Sequence, residues 1–505
     1  MTPTLSWRRV GPVLAIYTLL TTLGLRAHEL FLDEAHHFLL ARDSTSWIDL
    51  YNNARFDGHP RLWHTLLFII THTLTTNPVA MQVLQGLISV SVAFVFLRYA
   101  PFSLPVKIGV LFGYYLLFEY NLLSRNYALG ILFLFIACAL LNTAGSPTAT
   151  TGRTSRPLLP LGFLILLMCN THVFFTFAAI GLYGFLFLEY AGQKKLLTRP
   201  FLVFTGIFLL AFACALIQAR VPQVDNVNLT PVKPDKFLSA GNFSFAAFGL
   251  VRGWLPIPAT LGGRFWNHYW LSEERTGRII GIALFLLLLT FPALFLHRAR
   301  KALLFYYACA GLLLLFFDVT QMTAARYFGM VFIFFLVACW LAAKGRPDAL
   351  ADTPFFFRAL LYGIIGLQLI IGWFAFEQDL TRPFSQSRNT VRYLQSLPPG
   401  EKIVVDGYNS GPMLCAYLQG KVFYLTTGAE GSFCVWKKSW FPYPRPSIAE
   451  ELAQWPALRQ LTRFILVANR PLTNTESPHF QLTPLRSFEN SIQGENYYVY
   501  QVDTH

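Results

Sequence analysis

Charge is what this sequence has least of. Asp, Glu, Lys and Arg together make up 13% of its 505 residues, about half the share of an ordinary soluble domain. Hydrophobic residues reach 54%, and Phe alone occurs 48 times. So few charges cannot solvate the surface of a chain this long. The shortage excludes an ordinary cytosolic enzyme and a disordered protein, and leaves a polytopic membrane protein as the default. Cysteine is sparse too, with seven residues and no paired metal-site spacing. Cys138, Cys169, Cys214, Cys309 and Cys339 lie in apolar runs and read as small core residues. That pattern excludes a disulfide scaffold. Cys415 and Cys434 lie in a polar C-terminal region, where a disulfide and two free thiols both stay open. Acidic residues number 26 against 40 basic ones, for a net charge of +14. The basic excess is not a nucleic-acid footprint, because Lys and Arg fall in small groups between apolar runs, where they set membrane orientation.

A crossing helix needs about 17–25 apolar residues. Such runs occur at 10–27, 79–97, 107–122, 127–144, 158–172, 173–191, 201–219, 278–296, 302–317, 326–343 and 358–376. The first follows Trp7-Arg8-Arg9 like a signal peptide, but Leu25-Arg26-Ala27 is a poor cleavage site, so it reads as an uncleaved helix. Basic groups at Arg8 and Arg9, Arg98 and Lys107, Arg153 and Arg156, Lys194, Lys195 and Arg199, Arg298, Arg300 and Lys301, and Lys344, Arg346 and Arg358 fall on alternate loops. The alternation predicts eleven spans with the N-terminus inside and the C-terminus outside. Counting 60–76 as a span would reverse every later loop, so it reads as an interfacial helix. Three outside pieces are large: a first loop at 28–78, a second at 220–277, and a tail at 377–505. In the tail, helices at 388–397, 410–418 and 448–460 alternate with strands at 402–406, 421–425, 464–468 and 497–502, which predicts a small α/β domain. Residues 145–157 form a low-complexity inside loop, and Asn228 and Asn242 begin glycosylation-type triplets.

The span interiors are nearly free of ionisable groups. These gather at span ends instead: Asp33, Glu34, His36, His37 and His59 in the first loop; Glu119, Arg125 and Tyr127; Asn170 and His172; Asp318, Gln321, Arg326 and Tyr327. All four groups fall on the outer side, which suggests one site at the interface. Arginines there suit a lipid phosphate, and a neighbouring carboxylate suits proton removal from an attacking hydroxyl or amine. Each residue also has a plainer role. Asp33 and Glu34 suit a helix start, the histidines suit interfacial packing, Arg125 and Arg326 suit snorkelling anchors, and Trp63, Tyr127 and Tyr327 suit an aromatic belt.

These segments resemble a known family. Phe31-Leu32-Asp33-Glu34-Ala35-His36-His37 is similar to the acidic first-loop motif of the GT-C membrane glycosyltransferases, which include protein O-mannosyltransferases and the aminoarabinose transferase of lipid A. Gly58-His59-Pro60-Arg61-Leu62-Trp63 resembles their His-Pro-Pro-Leu segment, Ser124-Arg125-Asn126-Tyr127-Ala128-Leu129 their Arg-Pro-Tyr-Ala-Leu segment, Thr171-His172 their Thr-His, and Ala325-Arg326-Tyr327-Phe328 their late Arg-Tyr pair. The elements occur in order over roughly 10–345; Arg61 and Asn126 stand where the family has Pro. The resemblance implies a polytopic α-helical GT-C fold with about eleven transmembrane helices and a small C-terminal α/β soluble domain. It implies inverting transfer of a sugar from a polyprenyl phosphate to a glycan, lipid or protein acceptor at the outer face of a bacterial plasma membrane. Asp33 would be the catalytic base, with Glu34 beside it. His59, Arg125, Tyr127, His172, Arg326 and Tyr327 would contact substrate; Arg61, a departure from the family pattern, would add a phosphate contact, and Glu119, which has no strong counterpart in the family, would be a second acidic group for the acceptor or a metal. The family admits a divalent cation (magnesium or manganese) on Asp33 without requiring one. The competing functions are a transporter or flippase of a lipid-linked saccharide, and a non-catalytic assembly subunit.

Overall fold

The computed structural model describes residues 6–143, 158–222, 237, 239–271, 274–322, 324–343, 353–441, 445–473 and 479–505. The loop 145–157, the triplet at Asn228, and Arg153, Arg156, Lys344 and Arg346 lie outside the described residues. The membrane half runs α1 (Trp7–Ala27), α2 (Leu32–Asp43), α3 (Trp47–Asn53), α4 (Leu62–Thr73), α5 (Val79–Tyr99), α6 (Leu104–Leu111), α7 (Asn126–Thr143), α8 (Leu158–Cys169), α9 (Val173–Gly192) and α10 (Arg199–Ala219). It continues through α11 (Ala240–Trp254), α12 (Arg275–Phe295), α13 (Arg300–Thr320), α14 (Ala325–Phe328), α15 (Met330–Ala342) and α16 (Phe355–Thr381).

Among the described residues, eight helices are long and apolar enough to cross a membrane: α1, α5, α9, α10, α12, α13, α14 continuing into α15, and α16. The expected eleven resolve differently in three places. The runs at 127–144 and 158–172 form shorter apolar helices, Asn126–Asn142 and Leu158–Cys169. The run at 107–122 is not one helix: α6 stops at Leu111 and the chain passes through a π turn at Tyr115–Glu119. The run at 60–76 folds as α4, whose 12 residues span about 18 Å, too short for a hydrocarbon layer of about 30 Å.

Burial separates centre from rim. Every residue from Met330 to Leu341 is buried, as expected of a helix apolar on all sides. In α1 and α10 only 28% of the span is buried, which leaves their outer faces for lipid. The break after α6 is held by close backbone contact. A Cβ on Gly372 of α16 would lie 2.6 Å from the Tyr114 nitrogen and 2.7 Å from the Gly113 carbonyl carbon. Backbone on both sides cannot give way. Gly372→Ala is therefore expected to destabilise the protein by about 1–3 kcal/mol, read as a lower thermal midpoint in detergent. Gly363→Ala, on the same helix with nothing within 4 Å of its Cβ, is the control and should leave the midpoint in place.

The C-terminal part comprises α17 (Ser387–Ser396), β1 (Ile403–Val405), α18 (Gly411–Leu418), β2 (Val422–Tyr424), β3 (Ala429–Gly431), α19 (Ile448–Gln454), α20 (Pro456–Arg459), β4 (Arg463–Ala468), β5 (Phe480–Phe488) and β6 (Tyr497–Thr504). Six strands form one sheet in the order β3-β2-β1-β4-β6-β5. β1 pairs parallel with β2 and with β4, and the other pairings are antiparallel. Strands β3 and β5 are additions to the sequence reading. β5 is mostly exposed and carries Pro484 and a register shift, so it lacks the alternation that marks a strand. The expected helix at 448–460 is two, because Pro456 starts a new one. Cys415 and Cys434 are both free and buried.

The sheet does not hang from a tether. Leu30, Ala35, Phe38 and Trp63 of the first loop share one apolar cluster with Val405, Met413, Leu414 and Val499.

Candidate active site

Helix α2 begins a few residues after the end of α1, and its first turn supplies two acids with different surroundings. Glu34 is fully buried. One oxygen accepts the Ser124 N–H; the other accepts the Phe31 N–H at 3.2 Å and lies 3.1 Å from His28 Nε2. His28 Nδ1 reaches Asp379 Oδ2 at 2.8 Å. Burial alone would lower the His28 pKa, but Asp379 and Glu34 outweigh it and raise it to about 10. Glu34 is thus enclosed. It caps α2 and holds the backbone beside Arg125, and it does not face the same space as Asp33.

Asp33 is the open acid, with its side chain 24% exposed. Its Oδ2 lies 3.0 Å from Arg125 Nη1 and 2.7 Å from Arg326 Nη2. Both guanidiniums are nearly buried, at 4% and 10%. Burial pushes the Asp33 carboxyl up, but Arg125 and Arg326 hold it below the usual carboxylate range. Arg125 sits where the broken segment after α6 meets α7. That junction is fixed by Asn126, whose Nδ2 donates to the Thr171 carbonyl at 2.7 Å. Arg326 sits in the single turn α14, pinned by Asn267 accepting the Ala325 N–H at 2.7 Å and by Tyr120 donating to the Arg326 carbonyl at 2.7 Å. Rings of Phe31, Trp266 and Tyr327 lie 5.9, 5.8 and 4.8 Å from its guanidinium, and it donates to the Tyr327 hydroxyl at 3.3 Å.

The other expected site residues divide between those beside this pair and those held elsewhere. His172 accepts the Phe174 N–H through Nδ1, and its Nε2 is 3.3 Å from the Tyr127 hydroxyl. The His59 ring packs 4.7 Å from His172; burial, then Arg125, lowers its pKa to about 4, so it is neutral. Glu119 accepts from Tyr114 and from Trp266 Nε1, each at 2.9 Å, which places it behind Trp266. Arg61 does not join Asp33. Its guanidinium lies 4.0 Å over the Tyr51 ring, and its Nε and Nη1 are buried without a hydrogen bond.

The residues around Asp33 do not fit a divalent cation. Two guanidiniums share Asp33 Oδ2, Glu34 is enclosed by His28 and two backbone N–H groups, and Glu119 Oε2 accepts from Tyr114 and Trp266, which leaves only its buried Oε1 without a hydrogen bond. A divalent cation needs several oxygen or nitrogen ligands and is repelled by adjacent cations. Among the described residues, the group able to hold an ion is His37, Asp57 and His64, with ligand atoms within 4.8 Å of one another. His36 Nε2 holds the other Asp57 oxygen at 3.1 Å. Of this group sequence reading singled out His36 and His37, as packing residues; it lacked Asp57 and His64.

It also lacked His28, Trp266, Asp379 and Glu495. Glu495, in the turn before β6, accepts the Leu32 N–H at 2.9 Å. Burial pushes its carboxyl up to about 8, opposed by that N–H and assisted by the negative charges of Asp33 and Glu34. Native Glu495 therefore keeps a proton that the unfolded chain releases near pH 4.5. Its contribution to stability is complete below that pH and is lost as pH rises through 8. The expected result is a wild-type thermal midpoint that falls more steeply between pH 5 and 8 than that of Glu495→Gln; parallel profiles would remove Glu495 from this role.

No protein-family model matches the chain, and no curated protein matches it in sequence. Among solved structures the chain is similar to ArnT from Cupriavidus metallidurans, in a crystal structure bound to undecaprenyl phosphate, with a TM-score of 0.52 and 12% identity over 98% of each chain. With its long apolar helices, its C-terminal sheet and this likeness along nearly its full length, the chain has the fold of the GT-C membrane glycosyltransferases.

Proposed function

We propose that the protein transfers a sugar from a polyprenyl phosphate to an acceptor at the extracytoplasmic face of a bacterial plasma membrane, inverting the anomeric carbon. One observation carries this reading: two nearly buried arginines from distant segments meet on the partly exposed carboxylate of Asp33. Two guanidiniums at a membrane interface bind a phosphate through parallel hydrogen bonds. The likeness to ArnT, whose structure holds undecaprenyl phosphate, supports a lipid phosphate as the partner.

The low pKa of Asp33 makes it a weak base before substrate arrives. A donor phosphate changes that. It takes over the guanidiniums and adds negative charge beside the carboxylate, and both effects raise the Asp33 pKa. The acceptor hydroxyl or amine then attacks the anomeric carbon from the face opposite the phosphate. A bond forms from the acceptor atom to that carbon, the bond to the phosphate oxygen breaks, and the acceptor proton passes to Asp33. The polyprenyl phosphate leaves carrying the electron pair, stabilised by Arg125 and Arg326. Tyr127, His172 and His59 form the neighbouring wall for the sugar. The step needs no metal on Asp33.

The test uses full-length protein in proteoliposomes with undecaprenyl phosphate carrying a radiolabelled hexose, N-acetylhexosamine or pentose, and an envelope extract as acceptor. Protein-dependent release of undecaprenyl phosphate, with label moved to the extract, is the expected result. Label that crosses the bilayer still attached to its lipid would replace this reading with transport.

A further inference from the structure

The C-terminal sheet contains a second site, separate from Asp33. Strand β1 lies between its two parallel neighbours, β2 and β4. The chain leaves β1 for β2 on one side and reaches β4 on the other, so the loops after β1 and β4 diverge. In open α/β sheets such a switch point leaves a crevice at the C-terminal ends of the strands, and ligands bind there. A cavity of about 240 Å³ occupies this place. Asp406 follows β1 directly, Thr426 comes after β2, and Asn469 follows β4 directly; all three line it.

The lining has a definite chemistry. Tyr408, Trp440 and Phe441 supply aromatic surface, with Tyr408 and Phe441 rings 4.4 Å apart. Asp406 is buried; its Oδ1 accepts the Ser410 hydroxyl at 2.6 Å, while its Oδ2 makes no hydrogen bond and lies 3.5 Å from Arg445 Nη1. Arg445 is itself fixed by two contacts of 3.0 Å to Glu451. Asn409 and Asn469 add amides that both donate and accept. A phosphate ligand does not suit this crevice. The buried carboxylate of Asp406 repels it, and Pro412 removes an N–H from the first turn of α18. A neutral sugar suits it: one apolar face for the rings, and hydroxyls that pair with a carboxylate, two amides and a guanidinium. The wall also leads toward the membrane half. Trp436 stacks on Phe441 at 5.5 Å and lies 5.7 Å from the His36 ring of α2, the helix whose first turn carries Asp33.

We propose that this crevice binds a saccharide. On the glycosyltransferase reading above, on which only this assignment rests, that saccharide is a remote residue of the acceptor glycan. The test measures binding of maltotriose, cellotriose, chitotriose and xylotriose, all free of lipid and phosphate, to the full-length protein in detergent by saturation-transfer NMR and calorimetry. At least one trisaccharide should bind saturably. Tyr408→Ala and Asn469→Ala should each weaken it about tenfold or more, with an unchanged thermal midpoint for at least one of them, and Asp33→Asn should bind as wild type does. Absence of binding by all four, wild-type affinity in both crevice variants, or loss of binding in Asp33→Asn would overturn the proposal. Failure of sugar transfer with intact trisaccharide binding would count against the enzymatic reading alone, and the converse against the crevice alone.

Discussion

Replacing Asp33 by Asn is expected to lower the turnover number for sugar transfer by about 10³-fold, within the range of about 10²–10⁴ for loss of a positioned base. The side chain keeps its shape but loses the proton acceptor. The same change should lower KM for the donor. In the wild type, the phosphate must displace the carboxylate from Arg125 Nη1 and Arg326 Nη2, at 3.0 and 2.7 Å; in Asp33→Asn it meets two guanidiniums with no competing anion. A fall in both constants is a signature that misfolding does not produce. The check is steady-state kinetics with labelled donor. Unchanged turnover would remove Asp33 from the chemistry, and a raised KM with normal turnover would make it a binding residue only.

Arg326→Ala should reduce kcat/KM by about 10²–10³-fold, the usual cost of removing one preorganised donor from a developing anion. Arg326→Lys should recover only part of this, because an ammonium keeps the charge but not the planar fork. Geometry predicts a further effect. Arg326 is one of two cations holding the Asp33 carboxyl below its usual range, so its removal lets that pKa rise. The acidic limb of the pH–rate profile should then move to higher pH in Arg326→Ala relative to wild type. A profile that keeps its acidic limb would show that Asp33 is not the titrating base. Arg125→Ala should behave alike, and the double variant should fall short of the product of the single effects, since both act on one anion.

Much of this arrangement was legible in the sequence, for physical reasons. A charge is costly in hydrocarbon, so Asp33, Arg125 and Arg326 at the ends of nearly uncharged apolar runs stand out, and alternation of basic loops predicts one side for them. Their meeting on one carboxylate oxygen follows that expectation. Glu34 shows the limit: nothing in Asp33-Glu34 tells which acid turns inward, because the choice depends on His28 and on Asp379, far along the chain. Arg61 shows another. It lies in a motif-like segment, yet its guanidinium is held over Tyr51, a partner no local pattern indicates. The run at 107–122 is apolar enough to cross as one helix, but α16 presses Gly372 against its backbone and the helix stops at Leu111. Tertiary contact outweighs hydropathy there. Glu495 was out of reach altogether, since a lone acid between two strands reads as a solvated loop residue.

The first turn of α2 is completed by residues from the far end of the chain: Glu495 receives its Leu32 N–H, and Asp379 steadies the His28 that holds Glu34. That turn therefore stays incomplete until the segments carrying Asp379 and Glu495 have folded onto it. The setting of Asp33 beside its arginines thus depends on a late folding step as well as on the helices that carry Arg125 and Arg326.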